Sequence, residues 1–375
     1  MATLDRLFNK RLLVVVLCTV FLISLASLLS SIFPMETGNW SLDSFREGEL
    51  ASDDTLSSPP PIASSGAKAA PAPASQEQTE SEPDVPADDL VEVKTAPTKA
   101  EDWKPKHFDP PSSDVMKAIE DNLLIYKKDK ILLTAVANAG MGDYTLNWIE
   151  SLKRTDLDSK FLVFAIDDGM VDLMKQHGYG DHVIKIPDDW FHQKLDSGFS
   201  KWLDKSYTPI THGKTLVVER LLYLDVTVWF SDVDIVFTSK GIYEYLTEKL
   251  TARGTKTQLL ISQETEQKIL NSGFYIMRPT TMNKRILADT IMIQDNEPEV
   301  TQQRAMNRVV DELDLSYQTS NIALLDLFLF PHGRMYFERN TPTKYGVEPM
   351  MVHANWRVGD KKKESLQKAG LWYIE

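Results

Sequence analysis

The spacing of apolar residues divides the chain into three stretches. From Leu12 to Phe33, twenty-two residues run without a charge. At about 1.5 Å per residue a helix of that length reaches about 33 Å, enough to cross a hydrocarbon layer about 30 Å thick. From Pro34 to Pro111 no apolar period is present. From Ser112 onward, short apolar runs alternate with stretches of helical period. The runs Ile131–Val136, Phe161–Ile166 and Thr227–Phe230 predict buried strands, and Tyr144–Lys153, Val171–His177 and Lys214–Leu224 predict helices. Strands alternating with helices predict βαβ units, hence an α/β domain with a mostly parallel sheet and helices on both faces.

Composition sharpens the middle stretch. Pro34–Pro111 holds twelve of the nineteen prolines and sixteen Asp or Glu against six Lys or Arg, so it carries −10 of the net charge of −13. Such a segment buries too little apolar surface to offset its ordering entropy and reads as an extended stem. The acidic balance argues against a nucleic-acid partner. Arg6, Lys10 and Arg11 precede the apolar run and Glu36 is the first charge after it, which places the N-terminus in the cytosol. The expected division is a cytosolic tail at 1–11, a membrane anchor at 12–33, a disordered stem at 34–111 and a folded domain at 112–375. A cleaved signal peptide is the rival for the apolar run, with Ala26-Ser27 as its small residues; the run's length favours the anchor. Asn39-Trp40-Ser41 is a glycosylation sequon six residues past Phe33. Cys18 is the single cysteine, so an intrachain disulfide and a cysteine-based zinc site are both excluded.

Candidate chemistry centres on Asp232-Val233-Asp234, directly after the strand predicted at Thr227–Phe230. Ligands of open α/β sheets sit at the carboxyl ends of strands, and residues i and i+2 of an extended chain face the same way. Two convergent carboxylates attract a hard divalent cation, which in turn holds a diphosphate. The flanks Trp229-Phe230 and Ile235-Val236-Phe237 are apolar, and a buried charge there requires a cationic partner. A second triplet, Asp156-Leu157-Asp158, lies in a polar loop and reads as solvated surface. The letters Asp232-Val-Asp-Ile-Val236 also match the pattern of haloacid-dehalogenase-type phosphatases, with a nucleophilic first Asp. That motif follows the first strand of its domain, whereas two strands precede it here.

An ordered set of motifs extends the reading. Thr134-Ala-Val-Ala-Asn138 and Leu146-Asn-Trp-Ile-Glu-Ser151 come first, then Phe230-Ser-Asp-Val-Asp-Ile-Val236 and Asn271-Ser-Gly-Phe-Tyr-Ile-Met-Arg-Pro279. Leu329-Phe-Pro-His-Gly333, Val352-His-Ala-Asn-Trp356 and Gly370-Leu-Trp372 follow. Together, over Ile131 to Trp372, this resembles the nucleotide-diphospho-sugar transferase family that includes plant rhamnogalacturonan xylosyltransferases and extensin arabinosyltransferases. The resemblance implies a GT-A fold, a nucleotide-sugar donor, a glycan or glycoprotein acceptor, manganese or another divalent cation, and retention of anomeric configuration. It also implies a single-pass Golgi membrane protein with a lumenal catalytic domain. Asp232, Asp234 and His353 are the expected metal ligands. Asn138, Lys214, Arg220, Asp232, Gly273, Gly359 and Lys361 are expected at the donor, Lys361 through the run Lys361-Lys362-Lys363. Glu264 and Asn271 are the expected catalytic residues. His353 packed on Trp356 as a structural histidine is the alternative. Where the family often carries Asp-Gln, this chain has Gln302-Gln303, which bears on acceptor choice. The rival for the whole is a non-catalytic lumenal protein that binds glycans on the same fold.

Overall fold

Along a buried strand successive side chains point to opposite faces, and in the computed structural model the apolar runs are sorted in this way. The structure describes residues 103–191, 207–254, 256–297, 299–315, 321–357 and 359–375. All belong to the second of the two units into which the chain divides, Leu90–Glu375. The apolar run at 12–33, the sequon and most of the expected stem lie outside the described residues. Among the described residues no helix is long and apolar enough to cross a membrane.

The first half of the fold runs through α1 (Ser113–Asp121), β1 (Leu124–Tyr126), β2 (Asp129–Ala137), α2 (Gly142–Arg154), β3 (Leu162–Ala165), α3 (Asp168–Gln176), β4 (Val183–Lys185) and α4 (Tyr207–Tyr223). It continues with β5 (Thr227–Ser231), β6 (Ile235–Phe237), α5 (Ile242–Thr251), β7 (Leu259–Thr265), β8 (Ile269–Met277), α6 (Thr281–Asn296) and α7 (Gln302–Glu312). The last elements are β9 (Ile322–Leu324), α8 (Thr341–Lys344), β10 (Met351–His353) and α9 (Asp360–Lys368). The predicted strands and helices correspond to β2, β3, β5, α2, α3 and α4.

The main sheet has the order β4-β3-β2-β5-β8-β7-β9, with β1 paired to β2. From β2, Ile131, Leu133 and Ala135 pack against Trp148, Ile149 and Leu152 of α2 on one face. Leu132 and Val136 pack against Val217, Val218 and Leu221 of α4 on the other. The α/β class with helices on both faces is as expected. Each fully buried large apolar side chain contributes about 1.5–3 kcal/mol, so the two cores hold the sheet from both sides.

The sheet is mixed rather than mostly parallel. β2 pairs in parallel with β3 and β5, but β8 runs antiparallel to both β5 and β7. The cause is a tight hairpin between β7 and β8. Gln267 takes a left-handed φ of 53° and Lys268 N–H donates to the Thr265 carbonyl at 3.1 Å, and a hairpin makes its two strands antiparallel. β6 and β10 form a separate antiparallel pair that places His353 opposite Ile235.

Residues 103–111, expected as the end of the stem, are seated on α4. Lys106 N–H donates to the Tyr223 hydroxyl at 2.8 Å, and Phe108 meets Tyr223 edge-on at 4.7 Å.

At the start of β2, Asp129 and Arg278 form a buried two-point ion pair at 3.2 and 2.8 Å. Arg278 also donates to the Thr257 carbonyl at 2.7 Å. Removing one partner of a buried pair strands the other charge, at a cost of about 3–5 kcal/mol. Asp129→Ala should therefore lower stability by about that amount in urea unfolding, and Asp129→Leu with Arg278→Met should recover most of it.

Candidate active site

Ser231 ends β5, and the backbone turns at Asp232–Asp234 before β6 begins. The amide of Ile235 closes this turn on the Asp232 carbonyl at 3.3 Å. The two carboxylates thus converge through a turn, not through the extended chain the sequence suggested. Val233, between them, is buried in the core. Further backbone bonds fix the turn: Asp232 N–H donates to the Gly273 carbonyl at 2.7 Å and Ala354 N–H to the Asp234 carbonyl at 3.0 Å.

The β6–β10 pairing delivers His353 to the same point. Its Nε2 lies 3.2 Å from Asp234 Oδ1 and 3.9 Å from Asp232 Oδ2, and one donor atom from each of the three residues falls within 4.8 Å of the others. His353 is 4% exposed and Asp234 8%. The histidine packed against the Trp356 ring is His332, 6.0 Å away centroid to centroid, so the alternative of His353 packed on Trp356 is not what the structure shows.

Two ammonium groups complete the cluster. Lys214, buried on α4, donates to Asp232 Oδ1. Lys362, on α9, donates to Asp234 Oδ2 at 2.6 Å. Burial alone would raise Asp234, yet Lys362 and His353 hold its carboxyl well below the usual carboxylate range. Burial works against the imidazolium of His353, but Asp234 and Asp232 raise it above its ordinary value. The donor set, two carboxylates and an imidazole, suits a manganese-class ion. Gly273 supports that fit, because a Cβ there would stand 2.5 Å from His353 Cε1 and 2.7 Å from Asp232 Oδ2. The backbone approaches so closely that only glycine leaves the three donors in place.

Glu264 and Asn271 are brought together beside Gly273. Glu264 Oε2 accepts from the side-chain amides of Asn271 and, at 3.1 Å, of Asn355. Asn271 Oδ1 accepts from Gly273 N–H at 2.9 Å. Gln303 borders the same strand, its Oε1 accepting from Ser272 N–H at 3.2 Å. Asn138 lies at the end of β2, and its buried Oδ1 has no hydrogen-bond partner, which suits a ligand donor.

Three expected donor residues lie elsewhere. Arg220 stacks its guanidinium on Phe108 at 3.6 Å and donates to the Asp189 carbonyl at 2.9 Å, which spends its charge on seating residues 103–111. Lys361 lines a cavity of about 740 Å³ with Tyr336, Phe337, Arg357 and Lys368. Successive helix residues are turned about 100° apart, so Lys362 reaches Asp234 while Lys361 faces that cavity. Lys363 pairs with Asp143 at 3.0 Å. Gly359 stands at the start of α9 with φ 56°. The second acidic triplet is surface, as expected, with Asp156 paired to Lys240.

Gly273→Ala should weaken Mn²⁺ binding at least 10-fold in titration calorimetry with the far-UV circular dichroism unchanged. His332 offers a pH test. Burial and then His353 hold it down at about 4, against an ordinary 6.5. Between those values the unfolded chain takes up a proton that the folded one refuses, so stability falls as pH drops from 6.5 to 4. His332→Gln should remove up to about 3 kcal/mol of that loss, read as a flatter melting temperature against pH.

Against known proteins, the sequence profile of nucleotide-diphospho-sugar transferases matches residues 156–367. A UDP-galactose:fucoside alpha-3-galactosyltransferase of Dictyostelium discoideum is 23% identical over 289 residues, 67% of this chain and 44% of that protein. The chain therefore spans less than half the length of this curated relative. Among solved structures, the glycosyltransferase that acts in glycosylation of the major capsid of PBCV-1 overlays with TM-score 0.40 at 10% identity, covering 64% of this chain and 98% of its own. Mouse xyloside xylosyltransferase 1 overlays with TM-score 0.37 at 9% identity, covering 60% and 97%. The family profile takes in more than half of the chain and spans the Asp232–Asp234 turn, Gly273, His353 and Lys362. The chain belongs to the nucleotide-diphospho-sugar transferase family.

Proposed function

We propose that this chain is a metal-dependent glycosyltransferase that moves a sugar, with retention, from a nucleotide diphosphate to a hydroxyl of a glycan or glycoprotein. The observation that carries the reading is the cluster of half-buried Asp232 with buried Asp234 and His353, built around a turn at the end of β5 and held by Lys214 and Lys362. Two carboxylates and two ammonium groups cancel formally. A bound divalent ion leaves the site near +2, which a diphosphate complements. Asp232, Asp234 and His353 would hold the ion, which supplies positive charge for the leaving diphosphate.

The chain's own groups divide the remaining work. Lys214 and Lys362 hold the two carboxylates in place through charge-assisted hydrogen bonds. The unpaired Asn138 oxygen accepts a hydrogen bond from the donor's nucleotide. At Gly273 the bare backbone lets β8 close on His353 and Asp232, so that both donor groups stay in place. Glu264, oriented by Asn271 and Asn355, presents negative charge to a centre that becomes oxocarbenium-like as the sugar bond breaks.

The place of action rests on the sequence. The uncharged run at 12–33 after Arg6, Lys10 and Arg11, followed by the Pro-rich acidic segment, supports a type II Golgi protein with a lumenal domain. For the sugar, the galactosyltransferase relative makes UDP-galactose the first donor to try and a fucoside the first acceptor.

The full chain in detergent with Mn²⁺, given a panel of UDP- and GDP-sugars, should release nucleoside diphosphate from one of them. EDTA should abolish the release, and Asp234→Asn should reduce it at least 100-fold. No release from any donor, with glycan binding retained, would establish the non-catalytic alternative.

A further inference from the structure

We propose that Trp356 and Glu264 form the acceptor subsite, a platform for a neutral pyranoside, deepening the transferase reading on which it rests. Trp356 is 47% exposed, one of the few large apolar side chains left in solvent among the described residues. Its backbone has φ 62°, in the left-handed region that a bulky residue rarely occupies. Such a conformation persists only where the surroundings impose it, and it marks sites of function more often than of packing.

The surroundings here are specific. Asn355, immediately before it, is held at both ends of its amide. Its Oδ1 accepts from Gly333 N–H at 2.8 Å, and its Nδ2 donates to Glu264 Oε2 at 3.1 Å. Gly333 has no alternative residue, because a Cβ at that position would overlap the Asn355 carbonyl. The indole itself is braced by Arg334, whose guanidinium lies 5.4 Å from the ring centroid, and by His332 at 6.0 Å. A side chain so carefully held and yet so exposed is shaped for a ligand.

Glu264 supplies the polar half. Asn271 and Asn355 both donate to Oε2, while Oε1 accepts no hydrogen bond among the described residues. Among the described residues no cation is paired with this carboxylate, unlike Asp232 and Asp234. A pyranose has a face of C–H groups and an edge of hydroxyls. An exposed indole offers an apolar electron-rich surface to the first, and an acceptor-only oxygen suits the second. Asn355 carries both, so a single residue sets the indole and the carboxylate relative to each other, next to the Gly273 cradle through Asn271.

The test is saturation-transfer NMR on the full chain in detergent with UDP and Mg²⁺, using methyl α-fucopyranoside, methyl β-galactopyranoside and methyl β-xylopyranoside as probes. At least one should bind through its ring C–H protons, and Trp356→Ala should weaken it at least 10-fold. Trp356→Gly should weaken it equally. Glycine takes φ 62° without strain, so an equal loss belongs to the ring and not to the backbone. Glu264→Gln, which keeps an oxygen for the Asn271 and Asn355 amides, should lower affinity for the same probe, while thermal melting of all three variants stays near that of the parent chain. Hydrolysis of the nucleotide sugar by water, and the KM for it, should be unchanged by either Trp356 substitution. If no probe binds the parent chain, if the Trp356 variants bind as the parent does, or if the donor KM rises in step with the lost affinity, the subsite is wrong. Glycoside binding that depends on Trp356 in a chain that hydrolyses no donor would support the subsite and count against the transferase reading instead.

Discussion

Two carboxylates within one turn, one buried and one half-buried, are the constraint around which this fold is arranged. An isolated buried carboxylate is far too costly to keep ionised, so Asp232 and Asp234 oblige other elements to come to them. α4 brings Lys214, β10 brings His353 and α9 brings Lys362. β8 contributes an absence, the missing side chain at Gly273, without which the donors would be pushed apart. Four segments far apart in the chain are thereby held at one end of β5, and the sheet's two apolar cores serve to keep that end rigid.

Much of this was legible in the chain because it depends on short-range pattern. Uninterrupted apolar runs identify β2, β3 and β5, since a strand covered on both faces has no polar side to show. The Asp-Val-Asp triplet in an apolar setting marks its own partner requirement. What resisted reading depends on phase and on distance. Lys361, Lys362 and Lys363 are chemically identical letters, and only the rotation of α9 decides which meets Asp234. Arg220 is a plausible phosphate ligand until Phe108, more than a hundred positions away, is found under its guanidinium. The antiparallel return of β8 hangs on a three-residue turn around Gln267, which carries none of the glycine or Asn-Gly signals that announce a hairpin. Asn355 was read as part of a motif, but nothing local to it indicates that it holds Glu264.

The two halves of the site also differ in character. Around Asp232 and Asp234 the contacts are ion pairs with Lys214 and Lys362. Around Glu264 they are amide hydrogen bonds to one carboxylate oxygen, at the rim. The first kind fixes charge; the second fixes direction without neutralising it, since amides donate but carry no net charge.

The separation of the β6–β10 pair from the main sheet has a consequence for the order in which the protein is made. Every strand of the large sheet has been synthesised once Leu324 is added, before either β10 or α9 exists. His353 and Lys362 arrive only afterwards, across a closure of more than a hundred residues that the sheet itself does not require. A chain ended early, between Leu324 and Val352, would keep all strands of the large sheet yet lack the imidazole and one of the two ammonium groups. Architecture and chemistry in this protein are therefore completed at different moments, and the chemistry is written last.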